Sequence, residues 1–211
     1  MQLYKPNKVI KGSALSVNFS AKTDKEGSKG DKSFYFQLIS QTGWDESSRN
    51  GTFKDGKKII VKFATHEISG ILAAIRKNTT LAATMGVEYV YHDGEKTAST
   101  IYFGPHFKKE KQGDKWVDTT TQVGFGLRVV KTDKSNKENK DSLSIGFTYA
   151  ETELLRLFLE DGLSHIFAAM YSDNINRAKN SKNESKEPPK AQQEPNKEVS
   201  TNSNPLTNDE F

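Results

Sequence analysis

Aromatic and basic side chains sit next to one another at several points along this 211-residue chain. Trp44 falls in Gly43-Trp44-Asp45-Glu46, which reads as a turn, and no apolar stripe claims it. Phe53 precedes Lys54, and Lys57 and Lys58 follow; Tyr102 and Phe107 border Lys108, Lys109 and Lys111; Trp116 follows Lys115. Such clusters suit a ligand that presents flat rings and negative charge together. Stacking of a base on an aromatic side chain is worth about 1–3 kcal/mol and tolerates any base, and lysines add a salt-sensitive phosphate contact. Unpaired polynucleotide has both features. A single lysine in such a set is as readily a solvated side chain as a phosphate contact, so the cluster carries the reading.

Residues suited to bond-making are sparse by comparison. The chain has no cysteine, which excludes disulfides, thiolate metal sites, iron–sulfur clusters and cysteine nucleophiles. His66, His92, His106 and His165 show no metal-ligand spacing and read as surface or capping residues. Glu151 and Glu153 open a helix, where carboxylates favour the macrodipole. Asp114 and Asp118 flank Trp116 at alternate positions, a common loop arrangement. There is no glycine-rich phosphate loop and no Gly-x-Ser-x-Gly elbow. The expectation is a binding protein with no catalysis, no metal and no cofactor.

Composition bounds the rest. Lys and Arg number 31 against 27 Asp and Glu, for a formal charge of +4, and the pI is near 9.0. Apolar residues make up 34%, low for a chain folded throughout. No apolar run nears the roughly 20 residues of a membrane span, and Met1-Gln2-Leu3-Tyr4-Lys5-Pro6 lacks the apolar core of a signal peptide. A cytoplasmic protein without membrane contact is expected. The apolar deficit concentrates in residues 172–211, which hold six apolar side chains, four of the six prolines, six cations and seven carboxylates. Such a segment cannot offset its ordering entropy and reads as a disordered tail. Residues 1–171, the expected folded domain, then carry +5, a balance that permits nucleic-acid binding without demanding it.

The elements that must position these side chains are mostly strands. Leu15/Val17/Phe19, Phe34/Phe36/Leu38 and Ile59/Val61/Phe63 each alternate with their neighbours at the period of a half-buried sheet. Asn50-Gly51 and Asp55-Gly56 are hairpin signals, and Thr52 to Lys54 is a candidate short fourth strand. Ile68, Ile71, Leu72 and Ile75 then form a helical stripe with Thr65 as N-cap. Four further strands follow, at Val87–His92, Ser99–Phe107, Gln122–Lys131 and Ser142–Phe147. Thr148 and Glu151 form a capping box for a second helix containing Leu155, Phe158, Leu159, Ile166 and Phe167.

The ends of the two units align at a constant offset of 84: Ile59/Val61/Phe63 on Leu143/Ile145/Phe147, Glu67 on Glu151, Ile71 on Leu155 and Ile75 on Leu159. The predicted class is α+β, antiparallel sheets made as ββββα twice, with repeats at about 13–78 and 87–171. If Phe34, Ile59, Val61 and Phe63 face the helices, the opposite face carries Tyr35, Gln37, Lys58 and Lys62. In the second unit Val123, Phe125, Leu127 and Val129 would point inward, and Gln122, Gly124, Gly126 and Arg128 outward. Unpaired sheet edges imply a homo-oligomer.

Two such units resemble the Whirly fold over residues 13–171, and one unit is similar to the single-stranded-DNA-binding domain of positive cofactor four. The resemblance lies in element order and pattern: no residue-level motif is as specific as the lysine-glycine-lysine signature of plant Whirly proteins, of which Lys57-Lys58 after Asp55-Gly56 is a loose echo. At the other end, Asn208-Asp209-Glu210-Phe211 resembles the acidic, Phe-terminated tips of phage and bacterial single-stranded-DNA-binding proteins. These resemblances imply a phage-encoded, sequence-independent single-stranded-DNA-binding protein of replication, recombination or repair. Its tip, Asp209, Glu210 and Phe211, would recruit partner proteins and compete with DNA. Two alternatives stand beside this: a five-stranded OB-fold protein with a similar tail, and an adaptor whose sheets bind proteins.

Overall fold

Alternation along β3 (Lys32–Ser40) buries Phe34, Phe36 and Leu38 completely and leaves Tyr35, Gln37 and Ile39 on the other face. The computed structural model describes residues 1–23, 30–113 and 115–184. In it β3 is a central strand of a four-stranded antiparallel sheet with β1 (Gln2–Lys5), β2 (Ser13–Ala21) and β6 (Lys58–Phe63), in the order β1-β2-β3-β6. Between β3 and β6 lies a separate two-stranded hairpin, β4 (Gly43–Asp45) with β5 (Asn50–Thr52). Helix α1 (Thr65–Lys77) and the short α2 (Leu81–Met85) follow. A second four-stranded antiparallel sheet, ordered β7-β8-β9-β10, comprises β7 (Val90–Asp93), β8 (Thr97–Gln112), β9 (Lys115–Asp133) and β10 (Lys140–Thr148), and helix α3 (Tyr149–Glu184) ends the described chain. This is ββββα made twice. Neither sheet closes into a barrel among the described residues, which removes the OB alternative.

Several features differ from the sequence reading. The fourth strand of the first sheet is β1, ahead of residue 13, and not Thr52–Lys54; at four residues β1 is too short to show a period. Asn50-Gly51 is not the hairpin turn but part of β5. The reversal is made by residues 46–49, with Arg49 at φ 51°. Asp45 braces that reversal, its carboxylate accepting from Ser47 N–H, Ser47 Oγ and Ser48 Oγ. Strands β8 and β9 continue as a hairpin arm through Lys109↔Asp118 to Gln112↔Lys115. The described side chains of the arm are exposed on both faces, so its sequence lacks the one-sided alternation that marks a half-buried strand. Finally, α3 is helical to Glu184, beyond residue 171 where the tail was expected to start. Asp173 is buried there, its Oδ2 2.5 Å from the ammonium of Lys32 on β3. Residues 185–211 lie outside the described residues.

One of the two long helices caps as its sequence dictates, and the other starts a residue earlier than Thr65 implied. Thr148 N–H donates to Glu151 Oε2 (2.8 Å) and Glu151 N–H to Thr148 Oγ1 (3.3 Å), the expected capping box. At α1 the N-cap is Ala64, one residue before Thr65; with no hydroxyl there, Glu67 supplies the carboxylate that accepts from Ala64 N–H (2.8 Å).

Both caps then pair across the duplication. Glu67 Oε1 lies 2.6 Å from His92 Nε2 on β7, and Glu151 accepts from Lys5 Nζ on β1. The first strand of each unit therefore meets the helix start of the other. Gly162 of α3 lies against Phe34 and Phe19 of the first sheet, and α1 meets β8 of the second. One continuous core results, from Leu15 and Phe36 through Ile71 to Leu127, Phe147 and Leu159.

Candidate nucleic-acid interface

Burying one face of each sheet leaves the other to solvent. On the first sheet this outer face carries Tyr35, Gln37, Lys58, Ile60 and Lys62. Tyr35 and Lys62 are cross-strand partners, with the ammonium 5.6 Å from the ring centroid. Both converge on Asp31. The Tyr35 hydroxyl donates to Asp31 Oδ2 (2.5 Å), and Lys62 Nζ lies 3.0 Å from Oδ1. The tyrosine hydrogen bond, opposed by desolvation and helped by the ammonium, holds the Asp31 carboxyl below its ordinary range; the same contact with Asp31 raises Lys62. Much of the charge of Lys62 is thus already compensated. Lys58 and Lys54 have no ion pair among the described residues, and Lys57 pairs with Asp141.

The second sheet holds the concave part. Tyr102, Arg128 and Ser144 lie opposite one another on β8, β9 and β10, and the next outward row is Gly104, Gly126 and Gly146. Over these rows runs a groove of about 460 Å³. It is bounded by Thr80 and Ala82, by Tyr89, and by His106, Phe107 and Lys109. Arg128 stands 5.9 Å from the Tyr102 ring centroid, and its Nε donates to Ser142 Oγ (3.1 Å). Arg128 and Lys109 are matched in the groove by Glu88 and Asp118, with Lys109 3.8 Å from Asp118. The groove is therefore ring-lined and close to neutral.

A bulge shapes the groove's far end. Between His106↔Gly124 and Phe107↔Gln122 the register slips, so Val123 is half-buried and not a regular inward residue as alternation implied. Gly124 takes φ 146° there, and a Cβ on it would meet Phe147 O at 2.0 Å, so a side chain is excluded. The slip lets Tyr102, His106, Phe107 and Lys109 all line one groove.

Four of the sequence-selected residues, Tyr102, Phe107, Lys109 and Arg128, are thus brought together. Tyr35, Lys58 and Lys62 share the first sheet's outer face. Trp44 is a strand residue of β4 and not a turn residue. It is half-buried, and its indole N–H has no acceptor among the described residues. Phe53 stacks obliquely on Tyr4, ring centroids 5.7 Å apart. Lys108 pairs with Glu110 along its own strand at 3.1 Å. Trp116 sits opposite Lys111 in the arm by register, while its side chain lies outside what is described. Asp209, Glu210 and Phe211 are outside the described residues. Tyr89 and His106 were missed. Tyr89-Val90-Tyr91 does alternate around a buried valine, which is a signal for exposed rings, but the position of His106 depends on the bulge and on glycines from two other strands.

Solved structures decide the fold. WHY3 from Arabidopsis thaliana superposes with a TM-score of 0.52 at 17% identity, over 84% of this chain and 94% of that one. This is a Whirly-like fold. WHY1 from Arabidopsis thaliana gives 0.51 at 18% identity, covering 84% and 90% of the two chains. The plant transcriptional regulator PBF-2 gives 0.53 at 15%, covering 82% and 93%. No protein-family model and no curated protein matches the sequence. The Whirly-like architecture is shared at 15–18% identity, which carries the fold alone, so the interface has to be read from this chain's own side chains.

Proposed function

We propose that this protein binds single-stranded DNA without sequence preference, as a non-enzymatic protein of replication, recombination or repair. The groove on the second sheet carries the reading. Tyr89, Tyr102, Phe107 and the Arg128–Tyr102 pair present rings and a guanidinium at a solvent-open sheet face, on the fold shared with a plant transcriptional regulator. Rings supply base stacking that accepts any sequence, and Arg128, Lys109, Lys54 and Lys58 supply phosphate contacts. Because the groove is nearly neutral, stacking is the larger contribution there.

Oligomerisation belongs to the same proposal. Leu154, Leu157, Phe167, Met170 and Tyr171 are all exposed on α3, and a second copy of the chain would cover them. The tip formed by Asp209, Glu210 and Phe211 would recruit a partner of the replication or recombination machinery, as its resemblance to phage tips implies.

The test is a titration of the full chain with oligo-dT and with duplex of equal length, at two salt concentrations. Tight, salt-sensitive binding of oligo-dT and weak binding of duplex are expected. No binding of oligo-dT at micromolar protein would favour the adaptor reading. Deleting residues 208–211 should leave or strengthen DNA affinity; a loss of affinity would contradict the role given to the tip.

A further inference from the structure

Gly126 and Gly146 lie side by side on β9 and β10 with one ring across both. A Cβ on Gly126 would meet His106 Cβ and Nδ1 at 3.6 and 3.7 Å; one on Gly146 would meet His106 Cδ2 and Nε2 at 3.3 Å. The imidazole therefore extends from β8 over β9 to β10, seated above both glycines. The absence of side chains beneath it leaves room for this posture. Its nitrogens make no hydrogen bond among the described residues, in contrast to His92, which pairs with Glu67. The ring is half-exposed and faces the groove of about 460 Å³, a size within the roughly 300–1,000 Å³ of small-ligand sites.

We infer that His106 is the stacking platform for one unpaired nucleobase, held flat by Gly126 and Gly146, with the Tyr102–Arg128 pair and Phe107–Lys109 as neighbours in the same groove. A planar ring seated over two glycines, half-exposed to the groove and without a hydrogen bond to fix it among the described residues, offers a π-surface to a base. Arg128, which makes no ion pair among the described residues, is available for a flanking phosphate, and Lys109 lines the same groove 3.8 Å from Asp118. This rests on the single-strand reading above and names the base-binding element within it.

The test compares wild-type protein, His106→Ala and His106→Phe with oligo-dT and with an abasic oligonucleotide of the same length. Against oligo-dT, His106→Ala should weaken binding about 5- to 150-fold, the range that one stacked base supplies, and His106→Phe should restore most of it. Against the abasic strand the three proteins should bind alike. On adding oligo-dT to wild type, the His106 ring-proton resonances should move upfield, as expected for a ring placed under a base; a purely structural ring would not show this. If wild type binds oligo-dT but His106→Ala binds equally well, or if its deficit persists on the abasic strand, the platform is wrong and the single-strand reading stands. If wild type binds no oligo-dT, it is that broader reading that fails.

Discussion

Lys57 and Asp141 form an ion pair and are separated by 84 residues, the repeat length of the duplication, so each occupies the other's position in the opposite unit. Arg76 and Glu160 repeat the relationship, also 84 apart, with Nη2 2.5 Å from Oε1. Points related by a two-fold rotation touch only beside the axis. The two pairs therefore mark an approximate dyad, and the contacts Lys5–Glu151 and His92–Glu67 each run from the first strand of one unit to the helix start of the other. At these positions the two units carry opposite charge, where identical residues would set like against like.

These dyad pairs are at the surface, and their contribution is expected to be small. A double-mutant cycle on Lys57→Ala and Asp141→Ala, read by urea unfolding, should give a coupling of about 0.2–1 kcal/mol, decreasing with salt. A coupling of several kcal/mol would mean that the pair is far less solvated than its half-exposed side chains indicate.

The buried counterpart is Lys32–Asp173, with side-chain exposures of 16% and 4%. Asp173→Ala removes the carboxylate that meets the Lys32 ammonium inside the fold, breaking a buried pair, and should cost about 3–5 kcal/mol. The Lys32→Met, Asp173→Leu double variant should recover most of this loss. Unchanged stability in Asp173→Ala would show that the helix beyond Tyr171 is not tied to β3.

Glu67 links stability to acid. Burial raises its pKa, but the His92 contact and the Ala64 N–H outweigh that and hold it below its ordinary value. A folded-state value below the unfolded one, about 4.3, stabilises the protein above that pH and loses its effect as pH falls through the folded value. Urea midpoints measured from pH 6 to pH 3 should therefore fall more steeply for wild type than for Glu67→Gln. Near pH 7 the variant should be less stable by about 1–3 kcal/mol, having lost a buried charge-assisted contact.

Gly162 sets how near α3 lies to the first sheet. A Cβ there would come within 2.7 Å of Phe34 Cε1 and Cζ and 2.9 Å of Phe19 Cδ1. Phe34 is wholly buried and has no room to retreat. Gly162→Ala should therefore destabilise by about 1–3 kcal/mol despite its higher helix propensity; a stabilised variant in thermal unfolding would contradict this close packing.

Arg128 makes no ion pair among the described residues and borders the groove. If it meets a phosphate, Arg128→Ala should lower the slope of log affinity for oligo-dT against log salt by about 0.7. A weaker affinity with an unchanged slope would assign Arg128 to ring contact through Tyr102 instead.

Much of the architecture could be read from residue order alone, because burial on one side of a sheet imposes a period of two and burial of a helix a period of 3.6. That fixed β2, β3, β6, the cores of β8 to β10, both long helices and the outward placement of Tyr35, Lys58, Lys62 and Arg128. Where no such one-sided burial exists, the pattern was silent: the four residues of β1, the doubly exposed arm and the five residues of α2 were missed.

Tertiary structure decided which of the exposed side chains meet. Tyr102, Phe107, Lys109 and Arg128 converge because a bulge shifts the register at Gly124, and Lys57 and Lys62 are neutralised by carboxylates far away or outside their strand. His106 found its seat on glycines 20 and 40 residues further along. Sequence spacing encodes which face a residue takes. It does not encode cross-strand neighbours, since these depend on register and on how two units close around a dyad, and both arise only once the chain has packed.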